Sequence, residues 1–115
     1  MPGVYLLARF EGEARRRKVA VSSPLIYVGE TCEQSLYKRL SQFQRAAFLR
    51  KPGHSGGLTF ARVYPTESDP AWLNISVMPV ELPEPQASAY IRYIERAVLW
   101  AYVQRNKAYP QCNSK

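Results

Sequence analysis

Residues 86–106 carry an apolar repeat suited to a helix. Ile91, Ile94, Val98, Ala101 and Tyr102 recur mostly at three- and four-residue steps, which gathers side chains on one face of an α-helix. Pro85 precedes the segment, and a proline suits the first turn because its missing N–H leaves no bond unmade. The spacing therefore predicts a helix from Gln86 to Asn106. Such a helix is ~30 Å long and needs a surface for its apolar face. Short apolar runs supply one. Residues 4–10 and 25–28 are too short and too continuous for helices and are predicted as buried strands. Val19-Ala20-Val21 is expected to pair back on the first strand through a turn holding Gly12 and the run Arg15-Arg16-Arg17-Lys18.

A second helix is predicted over residues 34–50, where Leu36, Leu40, Phe43 and Ala47 form one stripe before Lys51-Pro52-Gly53 ends it. His54-Ser55-Gly56-Gly57 reads as a flexible loop. Residues 58–64 alternate as a strand would, with Leu58, Phe60 and Arg62 on one face and Thr59, Ala61 and Val63 on the other. Residues 72–80 read as a strand and connector, and residues 82–85 as a stiff linker. The order suits a mixed α/β sandwich or an α+β layer fold, and the expectation is α+β, a small mixed-sheet sandwich with helices packed on both faces, as one domain over residues 1–115.

A chain of 115 residues with 46% hydrophobic content is neither disordered nor collagen-like. Its longest clean apolar run, residues 97–103, is too short to span a membrane. The first ten residues lack a basic leader, so a soluble, cytoplasmic protein is expected. Cys32 and Cys112 are expected as free thiols, since His54 is the only histidine and cannot complete a zinc site with them.

The net charge of +7 is unevenly spread. Residues 1–62 hold eleven Lys/Arg against four Glu, whereas residues 63–115 hold five basic and five acidic residues. Arg15, Arg16, Arg17 and Lys18 make one cluster. Lys38, Arg39, Arg45, Arg50, Lys51 and Arg62 make another, and no acidic residue falls between Glu33 and Glu67. A polyanion such as nucleic acid is the natural partner of such a surface.

Three features sit oddly on this frame. At ~100° per residue, Glu95 points within about 60° of Ile91, Val98 and Tyr102, so a carboxylate borders an apolar stripe. It needs a cation, a metal or hydrogen bonds there; Arg92 and Arg96 are the ordinary partners. Arg39 borders the stripe of the first helix, where it either snorkels or holds a guanidinium ready for phosphate. Tyr5 and Tyr27 lie on apolar strands, each two residues from a glycine, in Gly3-Val4-Tyr5 and Tyr27-Val28-Gly29.

Together these residues resemble the GIY-YIG nuclease superfamily, named for two strand motifs that stand here with Val for Ile. The resemblance extends to Arg39, ten residues past Gly29, to Glu95 on the last helix, and to Asn113 after Pro110. It implies a metal-dependent endonuclease that hydrolyses DNA phosphodiesters with one Mg2+ or Mn2+. Glu95 would be the metal ligand, Arg39 the phosphate contact, and Tyr5 or Tyr27 the group that orients or deprotonates water. Asn113 would fix the glutamate or a phosphate oxygen, with His54 a candidate proton shuttle or phosphate contact. Arg15, Arg16, Arg17, Lys18, Lys38, Arg45, Arg50 and Lys51 would hold flanking DNA backbone, with the protein a monomer or homodimer. Strong sequence specificity is not expected of a monomer, and a partner protein could supply it. The chain departs from the family in three places. Its two tyrosines are 22 residues apart, Phe43 stands where a His or Tyr is common, and Glu30 stands where some members carry Lys. A catalytically impaired nucleic-acid-binding module and a structural or interaction protein are the alternative readings.

Overall fold

The computed structural model describes residues 1–10, 18–67 and 73–113. Within them the order is β1 (Gly3–Ala8), β2 (Leu25–Thr31), α1 (Leu36–Leu49), α2 (Ser55–Val63), β3 (Asn74–Pro79) and α3 (Gln86–Asn106). The strands make one sheet, ordered β2-β1-β3, with both pairings antiparallel. The chain is α+β, but its sheet is antiparallel rather than mixed. The crossover through α1 and α2 carries the chain past β1, which then lies antiparallel between two mutually parallel strands.

β1 is the middle strand, and its side chains alternate between two helical layers. Tyr5 and Leu7 pack with Leu36, Phe43 and Ala47 of α1 and Phe60 of α2. On the opposite face, Val4 packs with Ala87 and Ile91 of α3, and Ala8 with Val28 and Leu99. α3 has the bounds the apolar spacing predicts, although its most buried residues are Ala87, Ile91 and Leu99. α1 begins at an N-cap, Ser35, whose Oγ accepts the Lys38 N–H at 3.1 Å.

Two expected strands are absent. The segment read as a loop and strand over residues 54–64 is α2, capped by His54. Its buried residues are Gly56, Gly57, Phe60 and Ala61, a four-residue repeat that overrides the apparent alternation. Gly57 is what admits this helix, because a Cβ there would lie 2.7 Å from the Phe43 carbonyl oxygen and 2.7 Å from Ala46 Cβ. Glycine costs helix propensity, and close packing of α2 on α1 compensates. Val19-Ala20-Val21 is not a strand either, since both sides of β1 are taken by β2 and β3. Instead Val19 packs with Ala8, Phe10 and Leu25, and a turn from Ala20 to Ser23 returns the chain to β2.

After α3 the chain docks on β2: the Cys112 N–H donates to the Ile26 carbonyl at 2.8 Å. Cys32 and Cys112 are free thiols. Among the described residues no helix is long and apolar enough to cross a membrane.

Candidate active site

Tyr5 and Gly29 are directly opposed in the β1–β2 register. Residues two apart share a strand face, so Tyr27 stands beside Gly29 on the side of Tyr5. The glycine gives the phenols room: a Cβ at residue 29 would lie 2.3 Å from Tyr5 Cζ and 2.6 Å from Tyr27 Cε2. The rings meet there with centroids 5.9 Å apart. Gly56 of α2 plays the same part on the far side, where a Cβ would lie 2.4 Å from Tyr27 Cε1. Tyr27 is therefore seated between two glycines that are distant in sequence.

His54 is not in a flexible loop. It is 2% exposed, and its Nδ1 accepts the Gly57 N–H at 3.1 Å as the N-cap of α2. Its Nε2 lies 2.8 Å from the Tyr5 hydroxyl. Phe43 meets the imidazole edge-on at 5.1 Å between centroids. Burial, then the Arg39 charge, push the His54 pKa down to about 4, so the ring is neutral at pH 7.

Arg39 is half-buried on α1. Its Nη1 donates to Gln42 Oε1 at 2.8 Å and to the Gly53 carbonyl at 3.1 Å. Among the described residues no carboxylate forms an ion pair with it. Its charge instead acts on the phenols. Burial raises the Tyr5 phenol well above its ordinary value, Tyr27 adds to the rise, and Arg39 opposes it. Tyr27 is raised too, by burial first, with Arg39 again opposing. The two differ in access: Tyr5 is fully buried, whereas Tyr27 is partly open to solvent.

Glu95 comes from the opposite face of the sheet. Ile91, Glu95 and Leu99 follow at four-residue steps, which sets the half-buried carboxylate in line with two of the most buried residues of α3. Neither Arg92 nor Arg96 forms an ion pair with it among the described residues. Burial raises its pKa, Glu30 raises it further and Arg96 opposes. Glu95 also bears on Tyr27, whose pKa its negative charge raises, so the two sides of the sheet meet electrostatically around β2.

Glu30, in sequence only a departure from the family pattern, acts on Glu95. Val28, on its face of β2, packs toward α3, so strand alternation turns Glu30 toward Glu95. Cys32 Sγ donates to Glu30 Oε2 at 3.0 Å. Combining the parity of β2 with the helical face of Glu95 would have paired them. Glu30, Glu33, Arg39 and Arg92 line an open polar cleft of about 360 Å³. Glu95 and Glu30 are hard oxygen donors of the kind Mg2+ or Mn2+ takes. No cluster of three or more His, Cys, Asp or Glu that could hold a metal occurs among the described residues.

Asn113 has a different place from the one expected. Its Oδ1 accepts the Val28 N–H at 2.8 Å and its Nδ2 donates to the Val28 carbonyl at 2.9 Å. The amide thus clamps the outer edge of β2 between Tyr27 and Gly29. Of the basic residues expected to hold DNA backbone, five fall among the described residues. Lys38 and Arg45 are exposed and stand two turns apart on one side of α1. Arg50 and Lys51 follow at its end, where Arg50 adopts a left-handed conformation and donates to the Pro65 carbonyl at 3.0 Å. Lys18 is exposed, and Arg15, Arg16 and Arg17 lie outside the described residues.

The chain matches no protein-family model, no curated protein and no solved structure.

Proposed function

We propose that this chain is a divalent-metal-dependent endonuclease that hydrolyses DNA phosphodiester bonds with a GIY-YIG-like fold and site. One observation carries the reading. Four separate stretches of chain converge: Tyr5 and Tyr27 meet over Gly29, His54 hydrogen-bonds Tyr5, and the Arg39 charge acts on all three, while Glu95 acts on Tyr27 from the opposite layer.

The residues divide the work. Arg39, lacking a carboxylate partner among the described residues, presents a guanidinium to phosphate oxygens and offsets charge that grows in the transition state. Tyr27 reaches solvent and holds the attacking water. With its pKa raised it is a neutral phenol at pH 7, so it orients water by hydrogen bonding, and its ionised fraction grows with pH. Tyr5 is sealed in and supports Tyr27. Glu95, with Glu30, would hold the cation, which when bound supplies Lewis-acid stabilisation of the leaving 3′ oxygen. Lys38, Arg45, Arg50 and Lys51, with Lys18, hold flanking phosphates and set position rather than sequence. A second reading, a binding module without catalysis, draws on Phe43, which fills with hydrocarbon a position next to the phenols.

The test is nicking of supercoiled plasmid in Mg2+, in Mn2+ and in EDTA. Metal-dependent nicking by the wild type, lost in Glu95→Gln and Arg39→Ala at unchanged far-UV circular dichroism, is expected. Plasmid binding with no nicking in either metal would leave the binding module. Neither binding nor nicking would reject both.

A further inference from the structure

His54 has the hydrogen-bonding geometry of a positioning group, and that geometry fixes its tautomer. A backbone N–H can only donate, so Nδ1, which accepts from Gly57, carries no hydrogen. A neutral imidazole has one N–H, which must then sit on Nε2, facing the Tyr5 hydroxyl at 2.8 Å. Tyr5 Oη is therefore the acceptor in that contact. Its own hydrogen turns away from His54, toward the side where Tyr27 and Arg39 lie. We propose that His54 is a positioning residue that ties the start of α2 to the tyrosine pair and sets the direction of its hydrogen bonds. This role rests on the nuclease reading above, and it replaces the proton-shuttle role that the sequence suggested.

The surroundings leave His54 little other freedom. Phe43 from α1 packs against the ring, and Tyr27 from β2 meets it at 5.4 Å between centroids. Arg39, from α1, is the cation that acts on it, and Tyr5 from β1 is its side-chain hydrogen-bond partner. In the neutral ring, one nitrogen is held by the helix and the other donates, so neither is free to take a proton from Tyr5. The chain runs from the Gly57 N–H through the imidazole to Tyr5, and orients the Tyr5 hydroxyl toward the phenol that meets solvent. The short segment His54-Ser55-Gly56-Gly57 serves three needs at once: the cap, the room for Tyr27 and the close crossing of α1.

The single histidine makes the test direct. In 15N-labelled full-length protein, a long-range 15N–1H spectrum should show one imidazole with hydrogen on Nε2 and a bare Nδ1, unchanged between pH 8 and pH 5.5. A hydrogen on Nδ1, or a ring freely exchanging between tautomers, would overturn the proposal. Tyr5→Phe removes the acceptor and leaves the cap. The Nε2–H should then shift and exchange faster with water, and an unchanged signal would also overturn it. His54→Asn supplies a good N-cap but is too short to reach Tyr5. It should keep wild-type helix content and lower the nicking kcat by about tenfold to a hundredfold. Wild-type nicking by this variant would reject the positioning role. A wild type that never nicks, yet shows the Nε2–H form, would overturn the nuclease reading alone.

Discussion

Acidification should weaken this fold through His54. In the unfolded chain the imidazole takes up its proton near pH 6.5, and in the native site only near pH 4. Between those values the unfolded state binds more protons, so stability falls as pH falls. The loss begins as pH drops through 6.5, is nearly complete by pH 4, and vanishes as a trend below that. One pKa unit corresponds to about 1.4 kcal/mol, so the shift amounts to about 3 kcal/mol. That is a large share of the ~5–15 kcal/mol that holds a typical domain. Glu95, with its pKa raised by burial and by Glu30, works in the opposite direction, since a carboxyl raised in the native state gains stability as pH falls. A comparison isolates the imidazole: urea midpoints of the wild type and His54→Gln, read by circular dichroism from pH 7.5 to 4. The wild type should lose about 3 kcal/mol more than the variant across that range. Parallel curves would show that His54 titrates alike in both states, and the buried, neutral imidazole would have to be abandoned.

Gly29→Ala should cost about 1–3 kcal/mol by overpacking, because the new methyl would meet rigid rings at 2.3 and 2.6 Å; an unchanged urea midpoint would contradict the seating of the phenols. Asn113→Ala should cost about 1–3 kcal/mol, since both Val28 backbone bonds are lost. Hydrogen exchange should quicken at Val28, and unaltered exchange would remove the clamp. If Tyr27 supplies the base, nicking at saturating metal should rise with pH from 6.5 to 8.5 without a plateau, because burial holds the phenol above its ordinary value; a plateau near pH 7 would point to another group.

The parts of the candidate site legible in the sequence are those carried by local pattern. Tyr5, Tyr27 and Gly29 stood out through motif spacing, and Arg39 and Glu95 through charge at the border of a helical stripe. The same helical arithmetic gave α3 its full extent. The setting of His54 is not legible. A histidine and serine before two glycines look like loop, whereas the His54 cap and the packing of Gly57, Phe60 and Ala61 make the segment a helix. Glu30 was read as a departure because its meaning depends on which face of β2 turns toward α3.

By itself, the sequence determined the period of each long segment, the motif tyrosines and the basic first half, because these depend on neighbours a few residues away. The tertiary structure decided that α2 is a helix, that the sheet is antiparallel, that Asn113 holds β2 and that His54 meets Tyr5. Each of these turns on contacts between residues 11 to 85 positions apart. Their energies lie in space filled or in backbone groups satisfied across the fold, which no local pattern records.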